Sequence, residues 1–160
     1  MLRRTSAPTR SIWRVSVSMI SEPVLIDTGA FAAMFDPRDR YHAVCARQFS
    51  ELPYGKAYAC WPVITEAMYL IRRYPQQQLK LLEGLAAGDF PLLELAESDA
   101  IGISDVIAKY HDQEVDLADA ALVHLANREG IRNVFTFDRR HFAVYRRHDG
   151  QPLRLLPDAI

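Results

Sequence analysis

The chain has 160 residues, of which 49% are hydrophobic and 24% charged, with a formal net charge of -1. Those values describe an ordinary globular protein of one domain, long enough to bury a core. No apolar run reaches the roughly 20 residues a membrane span needs. The two cysteines, Cys45 and Cys60, give neither a disulfide framework nor zinc spacing. They read as small core residues of a protein in a reducing cytoplasm.

Residues 1–18 hold Arg3, Arg4, Arg10 and Arg14 and no acid, an excess of +4 in a chain of net charge -1. This head has no clear apolar period. It reads as a disordered tail or a misassigned start, with Met19 as the true one. A transit peptide and a nucleic-acid-binding arm are the other readings. The fold is expected in 19–160, as a single domain.

Val24-Leu25-Ile26 is a continuous apolar run, which favours a parallel strand covered on both faces, and it ends at Asp27. Thr28-Gly29 turns into a short helix over 30–35, and helical spacing returns over 41–52. Ala57 to Trp61 reads as a second strand stopped by Pro62. A helix then follows over 62–73, with Glu66 near its first turn and Thr65 as a possible cap. Gln76 to Ala87 is a further helix closed by Gly88. Phe90 to Leu95 reads as a third strand. Ser98 to Tyr110 is a helix that Ser98-Asp99 can cap, and Asp116 opens another that Gly130 stops. Asn133 to Phe137 is the fourth strand, directly followed by Asp138, and 153–156 offers a fifth.

Strands separated by helices predict an α/β fold, three layers with a mainly parallel sheet of four to five strands between helices. In such sheets ligands bind beyond the carboxyl ends of the strands. Asp27 and Asp138 stand at those ends, and Glu66 and Asp119 at helix starts facing the same rim. Acids gathered so closely repel one another unless they bind cations or share protons.

No Ser-His-Asp or Cys-His arrangement, phosphate-cradling glycine loop or zinc pattern is visible. All-oxygen ligation suits Mg²⁺ or Mn²⁺. A metal-bound water is the natural nucleophile for a phosphodiester, and the metal reverses the sign of a pocket that would otherwise repel a polyanion.

At these residues the chain resembles the PIN-domain family, in particular its VapC-type toxin ribonucleases from toxin–antitoxin systems. The resemblance rests on Val-Leu-Ile-Asp27-Thr-Gly-Ala-Phe, Thr65-Glu66, Asp116-Leu-Ala-Asp119-Ala-Ala-Leu and Phe-Thr136-Phe-Asp138-Arg-Arg-His-Phe, and spans roughly 22–148. It implies a metal-dependent endoribonuclease whose four acids are Asp27, Glu66, Asp119 and Asp138. Thr136 is then the hydroxyl residue of the last motif, and Thr28 the small hydroxyl residue after the first acid. Asp116 stays open between a fifth ligand and a helix cap, since Asp116 and Asp119 also make a capping-box-like pair. A cognate antitoxin, a homodimer and an RNA substrate are the implied partners.

Each acid also has a plainer reading. Asp27 can end a strand, Glu66 can sit well near a helix N-terminus, and Asp138 can cap the turn at Arg139-Arg140. Arg139, Arg140, Arg146, Arg147 and His148 are either a solvated surface or an RNA-backbone contact, which would position without specifying sequence. Arg72 and Arg73 are a weaker candidate of the same kind. His124 reads as a packed helix residue, and His141 as near the site without an evident partner. The apolar residues Phe31, Met34, Phe35 and Phe49 suggest, with the resemblance, a groove for an antitoxin segment. Two rival functions remain: a PIN-like module that only binds RNA or protein, and a phosphatase using Asp27 as nucleophile. The phosphatase lacks its expected second acid, because Gly29 occupies that place.

Overall fold

The computed structural model describes residues 20–158, so every expectation about residues 1–18 lies outside the described residues. Four parallel strands form one sheet in the order β2-β1-β3-β4: β1 is Val24–Ile26, β2 Ala57–Tyr58, β3 Asn133–Phe135 and β4 Arg154–Leu156. Every residue of β1 and β3 is buried. That explains why Val24-Leu25-Ile26 and Val134-Phe135 are apolar without alternation, while the buried Asn133 amide donates to the Pro23 carbonyl.

Seven helices complete the described chain: α1 (Thr28–Phe35), α2 (His42–Phe49), α3 (Trp61–Leu70), α4 (Pro75–Ala87), α5 (Asp99–Lys109), α6 (Leu117–Arg128) and the short α7 (Arg139–Phe142). Proline occupies the first turn of both α3 and α4, where its missing N–H costs no hydrogen bond. Gly88 ends α4 at φ 80°, a left-handed cap that glycine adopts without strain.

The core joins sheet and helices through aromatic contacts. Phe49 meets Phe31, Phe90 and Phe135 at centroid distances of 6.0, 5.5 and 5.2 Å, all tilted or edge-on, the geometry ring quadrupoles prefer. Phe31, Met34, Phe35 and Phe49 are therefore core: they are 0, 6, 7 and 6% exposed. The expected groove of these residues is not open. They supply the packing between α1, α2 and the sheet.

The expected third strand, Phe90 to Leu95, is reduced to one bridge, Ala59 to Leu92. The Pro91 carbonyl accepts from the Ala59 N–H, and Leu93 N–H donates back to Ala59. Pro91 cannot donate to a ladder. Cys60, placed in a strand by its sequence, is instead the residue before α3, which already begins at Trp61. Thr65 caps nothing. It sits inside α3, and its hydroxyl donates back to the Trp61 carbonyl at 2.8 Å.

Ser98 likewise makes no capping bond. Asp99 takes over, accepting from the Ala96 N–H at 2.7 Å, from His124 Nε2 at 2.8 Å and from Arg128 at 2.9 Å. These bonds hold its carboxyl well below the usual carboxylate range, the His124 bond contributing most. His124 is thus packed, as its sequence suggests, and it also ties α6 to the start of α5. Gly102 makes that contact possible: a Cβ there would stand 2.3 Å from His124 Nδ1.

Candidate active site

The fold carries Asp27 just past the carboxyl end of β1, a strand flanked on both sides, where it starts α1 as its N-cap. Its side chain is buried, 4% exposed. Thr136 follows β3, the neighbouring strand, and is fully buried. Its hydroxyl donates to Asp27 Oδ2 at 2.8 Å and accepts from the Asp138 N–H at 2.9 Å. One threonine therefore fixes both the first and the fourth acid. Thr28 does the same for the second: its hydroxyl donates to Glu66 Oε2 at 3.0 Å. Glu66 lies in the second turn of α3 rather than the first.

Asp119 lies in the first turn of α6 and accepts from the Tyr145 hydroxyl at 3.0 Å. Asp116 is the N-cap of α6, accepting from the Asp119 N–H at 2.8 Å. Asp116 is thus a helix cap, and its charge also acts on Glu66 and Asp119. Asp138 caps α7 through the His141 N–H and pairs with His141 Nδ1 at 2.7 Å. His141 has a partner after all, and the pair raises its pKa. Asp138 is half-exposed at the rim of the cluster.

Electrostatics show that these acids share one space. Burial, then the charge of Asp119, pushes Asp27 up to about 7 against the pull of its Thr136 bond. Burial and the charge of Asp116 push Asp119 up to about 6, with Glu66 and Asp138 adding to it. Glu66 is also raised, by burial and then by Asp116. Strong mutual perturbation of buried titratable groups marks a functional site more often than a structural one.

The donor chemistry fits a hard divalent cation: carboxylate oxygens, short of positive charge, each steadied by a neutral or backbone donor. Among the described residues, however, no three His, Cys, Asp or Glu side chains already converge as ligands of one ion. A bound cation would have to draw them in, relieving the repulsion that raises Asp27 and Asp119.

The basic residues beyond Asp138 are mostly occupied within the protein. Arg139 donates to the Pro157 carbonyl. Arg146 donates to the Ala143 and Tyr145 carbonyls, and Arg147 pairs with Asp149 at 3.2 Å. Arg140 is exposed and forms no salt bridge among the described residues. Arg40, which the sequence did not single out, lies 4.5 Å over the Tyr41 ring, and Tyr41 stacks at 4.7 Å on Phe137, the residue before Asp138. Tyr145 is the other residue missed. It lies beyond the last motif, and only the fold brings its hydroxyl to Asp119.

A parallel sheet whose carboxyl edge gathers acids from β1, α3, α6 and the end of β3 is the architecture of the PIN domain, and the chain belongs to the PIN-domain family, whose model matches residues 24–147. Within it, the chain is similar to ribonuclease VapC26 of Mycobacterium tuberculosis, with 31% identity over 136 residues, 84% of this chain and 100% of that protein. The fold is also that of M. tuberculosis VapC20, described as a sarcin-ricin loop cleaving toxin, at a TM-score of 0.67 and 18% identity over 74% of this chain and 92% of that one. A toxin–antitoxin complex from Klebsiella pneumoniae matches at a TM-score of 0.58 and 18% identity, over 76% of this chain and 91% of that one.

Proposed function

We propose that the chain is a Mg²⁺- or Mn²⁺-dependent endoribonuclease and the toxin of a toxin–antitoxin pair. Asp27, Glu66, Asp119 and Asp138 would hold the metal, and Asp116 would add its charge at the edge. The observation that carries this reading is Asp27 itself: a buried carboxyl just past the end of β1, pushed up to about 7 by burial and by Asp119. A protein rarely keeps such a group for stability, since the charged form is costly to bury without a partner.

When bound, a divalent cation supplies an activated water and neutralises charge on the phosphate. The chain's own residues prepare that chemistry. Thr136 and Thr28 orient Asp27 and Glu66 through the hydroxyl bonds described above. His141 is held against Asp138 and placed to shield its charge. Arg140 is the basic residue of the last motif free to take an RNA phosphate. Arg40, presented on the Tyr41–Phe137 stack, is a second.

The partners follow from the same reading: single-stranded RNA, a cognate antitoxin and a second copy of the chain, meeting in the cytoplasm. With α1 and α2 closed, exposed apolar residues elsewhere support protein contacts. Tyr69 on α3, Leu79 on α4 and Ile101 on α5 are 62, 53 and 73% exposed. Among the described residues no helix is long and apolar enough to cross a membrane.

One observation favours a second reading, a PIN module that binds without cutting: the acids do not converge as placed. Incubating the protein with an RNA pool, with and without Mg²⁺, separates the two. The expected result is metal-dependent cleavage that Asp27→Asn reduces by at least a hundredfold. Calorimetry showing no Mn²⁺ binding, together with intact RNA, would leave the binding module.

A further inference from the structure

We propose that Tyr145 is a positioning residue for the catalytic acids, its hydroxyl holding Asp119 in the orientation in which it takes a metal. The inference rests on the nuclease reading above. Each of the three inner acids accepts one hydroxyl hydrogen bond: Asp27 from Thr136, Glu66 from Thr28 and Asp119 from Tyr145 at 3.0 Å. The first two hydroxyls sit within the acid-bearing motifs, 109 and 38 residues from the acids they bond. The third lies outside those motifs, on the segment that follows α7, 26 residues from Asp119.

That segment is built to aim the hydroxyl. The Tyr145 ring is 1% exposed. Tyr110 packs edge-on against it at 5.0 Å and Phe142 at 5.3 Å. The Tyr110 hydroxyl accepts from the Arg146 N–H at 2.8 Å, and the Arg146 guanidinium donates to the Tyr145 carbonyl at 2.9 Å. The ring is thus gripped on two sides and its backbone is pinned beside it. A tyrosine has two side-chain torsions before its hydroxyl, and here both are fixed by packing. Phenylalanine would fill the same space. Among the described residues the hydroxyl donates to Asp119 alone, so its work is on that carboxylate. Partners behind a metal-ligating group set its orientation, and their loss typically lowers metal affinity or activity about 10- to 100-fold.

The test is Tyr145→Phe, with Mn²⁺ binding read by titration calorimetry and RNA cleavage resolved into kcat and KM. The expected result is about tenfold weaker Mn²⁺ binding and a comparable fall in kcat, with KM for RNA and the melting temperature near those of the wild type. Mn²⁺ affinity and kcat within twofold of the wild type would overturn the proposal. So would lost stability with unchanged metal affinity, which would make Tyr145 a structural residue only.

A second measurement needs no variant at this position. In protein carrying ¹³Cζ-tyrosine, the Tyr145 resonance should shift on Mg²⁺ titration, and should stay still in Asp119→Asn. A wild-type resonance indifferent to Mg²⁺ overturns the proposal. The wild type run alongside keeps the two readings apart. If it binds no Mn²⁺ and cuts no RNA, the nuclease reading falls and takes this one with it. If it does both while Tyr145→Phe matches it, only the role of Tyr145 falls.

Discussion

Asp27 carries two opposed consequences for its own substitution. As the proposed ligand just past the end of β1 it would be needed for cleavage. As a buried acid beside Asp119 it works against folding whenever it is ionised without a cation. Asp27→Asn keeps an oxygen that can accept the Thr136 hydroxyl bond and removes the charge. We expect the variant to melt several degrees above the wild type at pH 8 in EDTA, while losing RNA cleavage. Equal melting temperatures would mean that the acid repulsion is relieved some other way. This residue was legible because it follows three apolar positions and stands in a motif. So were Glu66, Asp119 and Asp138. Their hydroxyl partners were legible only where they sat in the same motifs, as Thr28 and Thr136 do. Tyr145 and Arg40 were not, because what marks them is contact across the fold: a hydroxyl against Asp119 and a guanidinium stacked over Tyr41.

At the scale of elements, α6 shows how one residue serves packing and site together. Asp116 accepts the Asp119 N–H and so starts the helix that carries Asp119. Asp116→Asn and Asp116→Ala both remove the charge, but only asparagine keeps a capping oxygen. In chemical denaturation the alanine variant should be less stable than the asparagine variant by about 1 kcal/mol. The other end of α6 is bound to α5 through Asp99, His124 and Arg128. Gly102→Ala would drive a methyl into the His124 ring, and overpacking of that kind costs about 1–3 kcal/mol. Metal affinity should not change, since this contact lies away from the acids. Helices were read well from sequence because their apolar periods and glycine stops are local, although the caps expected at Thr65 and Ser98 make no capping bond. Strand limits were read less well. Phe90 to Leu95 has strand composition, yet Pro91 leaves it a single bridge to Ala59. Phe31 and Phe49 looked like surplus apolar surface because their ring contacts, Phe90 and Phe135, are far along the chain.

For the whole molecule, the acids make stability depend on pH and metal together. Asp27 and Asp119 have folded-state values of about 7 and about 6 against ordinary values of 3.8. Between about pH 4 and 7 the folded state therefore holds protons that the unfolded chain has released, so stability falls as pH rises through that window. Metal-free protein should melt higher at pH 5 than at pH 8. Mn²⁺ should raise the melting temperature most at pH 8, where the carboxylates are ionised and free to ligate. A metal-free melting temperature that is flat from pH 5 to 8 would contradict the folded-state values of both acids. Below pH 4 the trend should reverse, because the unfolded chain then takes up a proton at Asp99 while the folded carboxyl, held low by His124, Ala96 and Arg128, stays ionised.

The Thr136–Asp27 hydrogen bond joins residues 109 positions apart, and the strands that carry them lie side by side. The site is consequently a late event in the making of the protein. While the chain is still on the ribosome, β1 and α1 have been made long before β3 exists to place Thr136 against Asp27. A product cut short ahead of β3 carries Asp27, Glu66 and Asp119 without the threonine or Asp138, and should be inert. On the proposed reading of the chain as a toxin ribonuclease, the order of the strands would delay activity until β3 has been translated.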